Sequence, residues 1–160
     1  MYVTSDITAE NWPSNFTPWT HSADGYFWLP DKPGAGNYII GTGAVAFGDD
    51  NKANEYGAFV AGYNNIADGR YSGVFGNSNT AGLSSIVGGN LNSVPAYYSL
   101  VVGYQNNVSG DDQLVGGSHN TVSGESSFAV GYNNNVSGFR SGVIGKGNTV
   151  TGQDSLVVGG

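Results

Sequence analysis

Two histidines, His21 and His119, and the acidic pairs Asp49–Asp50 and Asp111–Asp112 are the first places to look for chemistry in this sequence. The histidines fall in unrelated contexts, and His119 stands between Ser118 and Asn120 at a turn, so no metal-ligand pair is expected from them. The aspartate pairs lack calcium-loop spacing, and a calcium-binding nonapeptide roll would need an aspartate in every unit; solvated turn charges account for them. Glycoside hydrolysis would need carboxylates facing one another across a groove, for which Glu125 with Asp111 or Asp112 of a second subunit is the one candidate set. No nucleophile elbow, phosphate loop or dinucleotide fingerprint is present, because the glycines keep a phase of their own. The expectation is a protein that is not an enzyme, with no cofactor and no metal.

The composition explains why chemistry is scarce. Charged residues make up only 11% of the chain, while 27 of its 160 residues are glycine, far above the roughly 7% of an average protein. Five basic residues against twelve acidic ones, a net charge of −7, give no footprint for nucleic acid or for an anionic membrane surface. No run approaches the ~20 apolar residues of a membrane-spanning helix, so no membrane insertion is expected, and the first residues lack the basic and apolar regions of a secretory signal. With no cysteine, stability must come from packing alone.

The elements that would position any function are set by a repeat. SLVVGYQNNVSG at Ser99–Gly110 returns almost unchanged as SFAVGYNNNVSG at Ser127–Gly138. Aligned on the glycine that closes SLVVG, the chain has anchors at Gly48, Gly62, Gly76, Gly89, Gly103, Gly117, Gly131, Gly145 and Gly159, spaced by 14 residues except for one step of 13 after Gly76. Three places after each anchor stands asparagine: Asn51, Asn65, Asn79, Asn92, Asn106, Asn120, Asn134 and Asn148. Small aliphatic residues stand two places before the anchors and five places after them. Helix interiors do not tolerate this density of Gly, Asn, Thr and Val, which leaves two short strands per unit separated by glycine turns able to take positive φ. Stacked in register at about 4.8 Å per coil, such units form a parallel β-solenoid rising on the order of 40 Å between Gly48 and Gly159. The asparagines are expected to form a ladder at one corner, each amide bonding the next, helped by their tolerance of the left-handed region.

Residues one and three places before each anchor lie on the opposite strand face from the aliphatic column, yet they too are apolar. Phe47, Phe59, Phe75, Ile86, Leu100, Leu114, Phe128, Ile144 and Leu156 are the bulky members. One face fills the coil; the other must be buried against something else, and side-by-side association of identical solenoids is the expected solution.

The unit SLVVGYQNNVSG resembles the YadA-like head repeat of trimeric autotransporter adhesins over Ala44–Gly160. The resemblance implies an all-β, left-handed parallel β-roll with 14-residue coils, assembled as a homotrimer with the bulky strand residues toward the three-fold axis. Autotransporters also carry a signal peptide, a stalk and a membrane anchor, none of which is recognisable here, whereas bacteriophage tail fibres reuse similar rolls. The expectation is therefore a structural fibre or spike component located in a phage-like virion, a rigid scaffold with a possible part in host attachment. The alternative is a bacterial cell-surface adhesin head that binds host matrix or glycan, using the tyrosines Tyr63, Tyr104 and Tyr132 that follow anchor glycines. A third reading, ice binding by flat rows such as Thr121/Ser123 and Thr149/Thr151, meets Asn, Ile and Lys elsewhere in the same column and an irregular lattice.

Residues 1–40 are out of phase, hold all three tryptophans and are expected to form an irregular aromatic segment, with the roll over 41–160. Trp12, Phe16, Trp19 and Trp28 are the candidate capping or attachment residues, through which other virion proteins would dock.

Overall fold

The computed structural model describes residues 36–160 together with the strand pairs Thr20–His21 and Phe27–Trp28. Trp12, Phe16 and Trp19 lie outside the described residues. Among those described, the chain is all-β, and two sheets run the length of a parallel solenoid. The larger sheet stacks five-residue strands from Val45–Asp49 through Gly142–Lys146 and ends on Leu156–Gly159. The smaller stacks two-residue strands from Tyr38–Ile39 to Thr149–Val150. Register follows the repeat: Leu100 pairs with Leu114, Val101 with Val115 and Gly103 with Gly117. Phe27–Trp28 extends the larger sheet by lying parallel to Val45–Ala46, and it pairs antiparallel with Thr20–His21. Tyr38–Ile39 pairs with Lys52–Ala53, so coil pairing in the smaller sheet reaches back past residue 41.

The interior is thin. Val60, Val74, Val87, Val101, Val115 and Val143 of the larger sheet face Ala53, Ala67, Ala81, Val94, Val108, Val122 and Val136 of the smaller, all at 0% exposure. Every fully buried side chain of the two facing columns is Ala or Val, and only at the first described coil does a larger one, the partly buried Ile39, pack against them.

Asparagine closes one corner. In each coil the Asn backbone N–H and Nδ2 both donate to Oδ1 of the Asn one coil back, as Asn106 does to Asn92 at 3.0 and 3.0 Å. Nδ2 also donates to the carbonyl of the next anchor glycine, eleven residues on except for ten from Asn79 to Gly89, as from Asn106 to Gly117 at 2.9 Å. The ladder runs unbroken from Asn51 to Asn148 and starts one rung earlier, at Asn37, whose Oδ1 accepts from Asn51 N at 3.0 Å.

The anchor glycines are tied to these bonds. The carbonyl that accepts from an Asn points at the anchor of the preceding coil: a Cβ on Gly62 would lie 1.9 Å from Gly76 O, the oxygen that takes the Asn65 Nδ2 bond at 2.8 Å. Anchor φ values from +102° to +146° exclude other residues independently. The Gly-x-x-Asn spacing is therefore one device, in which the glycine leaves room for the carbonyl that the asparagine binds.

Two expectations about the turns need correction. The ladder asparagines are not the left-handed residues; their predecessors are, including Asp50, Asn64, Leu91, Gln105 and His119, with φ from 52° to 59°. A second glycine, present in most units as at Gly69, Gly124 or Gly138 and replaced by Glu55 and Ala96 in two, does not take positive φ but lies under the next coil, so that a Cβ on Gly124 would be 2.1 Å from Gly138 O. The turn it opens is reversed instead by Tyr71, Ser84, Asp112, Ser126 or Arg140. From Asn64 onward, each left-handed residue of both sets donates its backbone N–H one coil back, as Tyr71 does to Tyr56 O at 2.9 Å and Leu91 to Asn77 O at 2.9 Å. That bond offsets a left-handed cost of about 1–2 kcal/mol.

Candidate functional site

Function in so thin a solenoid must sit on its outer surface, because the interior holds only Val, Ala and backbone-bonded polar groups. Three outward surfaces differ in chemistry: the larger sheet, its tyrosine edge and the smaller sheet.

The outer face of the larger sheet carries two adjacent apolar rows. One contains Phe59, Ile86, Leu100, Leu114 and Leu156, and the other Phe75, Val102, Val130, Ile144 and Val158, all exposed in the single chain. Leu114 is 50% exposed, whereas its strand neighbour Val115 is at 0%, so strand alternation puts apolar side chains on both faces of one ribbon. Phe47, Phe59 and Phe75 form a run of rings with centroids 5.6 and 5.5 Å apart. Phe47 and Phe128 are half-buried, and Phe128 lies over Gly142 of the following coil, where a Cβ would meet its ring at 2.0 Å. Large and small residues thus compensate between coils as well as within one.

Tyr104, His119 and Tyr132 form a column at the edge of that face, with His119 edge-on to both rings at 5.3 Å and Lys146 Nζ 5.7 Å from the Tyr132 ring centre. His119 thus bridges the two tyrosines, which lie two coils apart. Tyr63 stands apart from this column, on the strand Phe59–Tyr63.

The smaller sheet shows the solvent short polar side chains. Over the last four coils they fall in two regular rows, Asn107/Ser109, Thr121/Ser123, Asn135/Ser137 and Thr149/Thr151, all exposed. Earlier coils break the rows with Lys52, Ile66, Asp68 and Pro95.

A second polar ladder, which the sequence reading did not separate from the strand that follows it, closes the opposite corner. Ser85, Ser99, Gln113, Ser127 and Ser141 are buried four places before their anchors. Ser99 N donates to Ser85 Oγ at 3.1 Å and Ser141 N to Ser127 Oγ at 3.1 Å, while Ser127 Oγ donates to Gly138 O at 2.8 Å. Serine recurring in phase with the anchors was the signal. Gln113 interrupts it: Nε2 donates to Asp111 O at 2.9 Å and to Gly124 O, but Oε1 is buried without a partner.

The acidic pairs occupy turns. Asp111 Oδ1 accepts from Tyr97 N at 2.9 Å, and Asp50 Oδ1 from Gly36 N at 3.3 Å. Among the described residues no group of three or more His, Asp or Glu side chains is placed to hold a metal ion, and there is no helix long and apolar enough to cross a membrane.

Parallel coils of 14 residues, a Val/Ala interior and in-register polar ladders define a β-roll repeat protein. The family model described as a grass antifreeze beta roll matches residues 60–159, and the chain belongs to that family. Comparison with curated proteins gives no match.

Proposed function

We propose that the chain is a structural rod that works as a homotrimer, joined through the outer face of the larger sheet, in a fibre or spike of a phage-like virion. The observation that carries self-association is the pair of exposed apolar rows, Phe59 to Leu156 and Phe75 to Val158, running the length of the roll. A stripe about 40 Å long exceeds the scattered apolar exposure normal for a soluble monomer and would invite indiscriminate aggregation if uncovered. Three-fold packing, left-handed winding and the virion setting are supported by the resemblance to the YadA-like head and its reuse in tail fibres. In this reading the aromatic residues Trp12, Phe16, Trp19 and Trp28 attach the rod to its particle. Sedimentation equilibrium tests the central point: a mass three times that of the 16.5 kDa chain is expected, and a stable monomer at micromolar concentration would overturn it.

A second reading, ice binding, is favoured by the family match and by the two rows from Asn107/Ser109 to Thr149/Thr151. Rows of short hydroxyl and amide groups about 4.8 Å apart on a flat sheet could order water in a lattice. The rows are regular over four coils only, which favours the rod. Thermal hysteresis with the native protein, abolished by Thr121→Tyr and Thr149→Tyr, would reverse that preference.

A further inference from the structure

The period shortens once, and the structure puts the missing residue in a turn. Ala81 lies in register with Ala67 and Val94, and Ser85 takes the ladder position of Ser72 and Ser99. Between Ala81 and Ser85 there are only Gly82, Leu83 and Ser84, where the neighbouring coils have four residues, Asp68–Tyr71 and Pro95–Tyr98. The short turn is drawn back: Leu83 and Ser84 are half-buried, while Arg70 and Tyr71 on one side and Tyr97 and Tyr98 on the other are exposed. A cleft of about 410 Å³ results, lined by Glu55, Asp68, Arg70, Leu83, Pro95 and Tyr97.

Its volume lies within the usual range of small-molecule sites, about 300–1,000 Å³. The lining offers hydrogen-bond acceptors in Glu55 and Asp68, a fork of donors in Arg70, and apolar surface in Leu83, Pro95 and the Tyr97 ring. Arg70 Nε is 3.6 Å from Glu55 Oε2 in a partly exposed, loose pair, so both groups can turn to a ligand. Asn54 Nδ2 holds Asp68 Oδ1 at 2.5 Å and fixes that carboxylate at the rim. A ligand suited to this set must donate and accept at several positions and present one apolar face. Two carboxylates in a chain of net charge −7 disfavour an anion.

We infer that this cleft binds a neutral saccharide of one or two rings. The sugar hydroxyls bond Glu55, Asp68 and Arg70, and its C–H face rests on Tyr97. No lining residue belongs to the outer face of the larger sheet, so the inference does not depend on trimer formation.

The test is an array of neutral and anionic mono- and disaccharides probed with the full chain, followed by calorimetric titration of the best-retained sugar. Neutral hexoses or N-acetylhexosamines are expected to bind, about tenfold more weakly to Tyr97→Ala and to Arg70→Ala. Both side chains are exposed, so the circular dichroism melt of these variants should match the native one. A variant with one serine inserted between Leu83 and Ser84, which restores the full period and fills the cleft, should not bind. Retention of no neutral sugar, preference for anionic glycans, or unchanged affinity in both point variants would overturn the inference.

Discussion

Asn106 and Asn107 are adjacent and chemically identical, and the fold uses them in opposite ways. Asn106 is buried; it donates to Asn92 and Gly117, and its Oδ1 accepts from Asn120 N and Nδ2 at 3.0 and 3.1 Å. Asn107 faces solvent on the smaller sheet. Removing the Asn106 amide takes the side-chain donor from the Gly117 carbonyl and leaves the Asn120 backbone N–H unpaired in a dry corner, while Asn120 Nδ2 keeps its bonds to Gly116 O and Gly131 O. Asn106→Ala should therefore cost about 3 kcal/mol in chemical denaturation, and Asn107→Ala less than about 0.5 kcal/mol. Gln113 is the complementary case, since its Oε1 is buried without a partner where the next coils use a serine hydroxyl. Gln113→Ser should raise the denaturation midpoint, by about 1 kcal/mol, as the introduced hydroxyl takes the Ser127 N–H and the orphaned oxygen disappears. The asparagine ladder was legible in the sequence because one residue type filled every rung. The left-handed positions were not: Tyr71, Leu91 and His119 share no side-chain property, and inter-coil backbone bonds rather than residue preference hold them there.

Within a strand, the fate of a glycine depends on what the next coil places above it. Gly131 has φ +134°, and a Cβ on it would stand 1.9 Å from Gly145 O; Gly116, one strand position before its own anchor, has nothing within 4 Å of a Cβ. Gly131→Ala should lower stability by more than about 3 kcal/mol, since the carbonyl it strikes is backbone and also serves Asn134. Gly116→Ala should be neutral or add up to about 0.5 kcal/mol, because a strand gains from losing glycine flexibility. Paired thermal melts by circular dichroism check both. Sequence reading gave both strands of each coil their correct faces, since strict alternation around each anchor leaves a single assignment. It misread the second glycine of each coil, because a glycine kept for close approach and one kept for positive φ look alike in one dimension.

For the molecule as a whole, the two-faced larger sheet decides how copies meet. Leu100 and Leu156 project from its outer face at 42% and 64% exposure, so charging them leaves the Val/Ala interior untouched. Leu100→Asp combined with Leu156→Asp should reduce the sedimenting mass to that of one chain while the far-ultraviolet spectrum stays unchanged; a mass equal to the native one would show that this face is not the interface. The apolar character of the face was readable from spacing, but the cleft beside Leu83 was not. A period of 13 announces a missing residue without saying which turn retreats, and that depends on the register of both sheets around it.

Since each coil bonds its predecessor through the same atoms as its successor, a tandem duplication or loss of fourteen codons leaves every ladder and both sheets continuous. Copy number can thus drift by recombination within the gene at little cost to folding, and each added unit lengthens the rod by about 4.8 Å. Selection could set the reach of such a rod as a count of units, so natural variants should differ in length by whole coils far more often than by single residues.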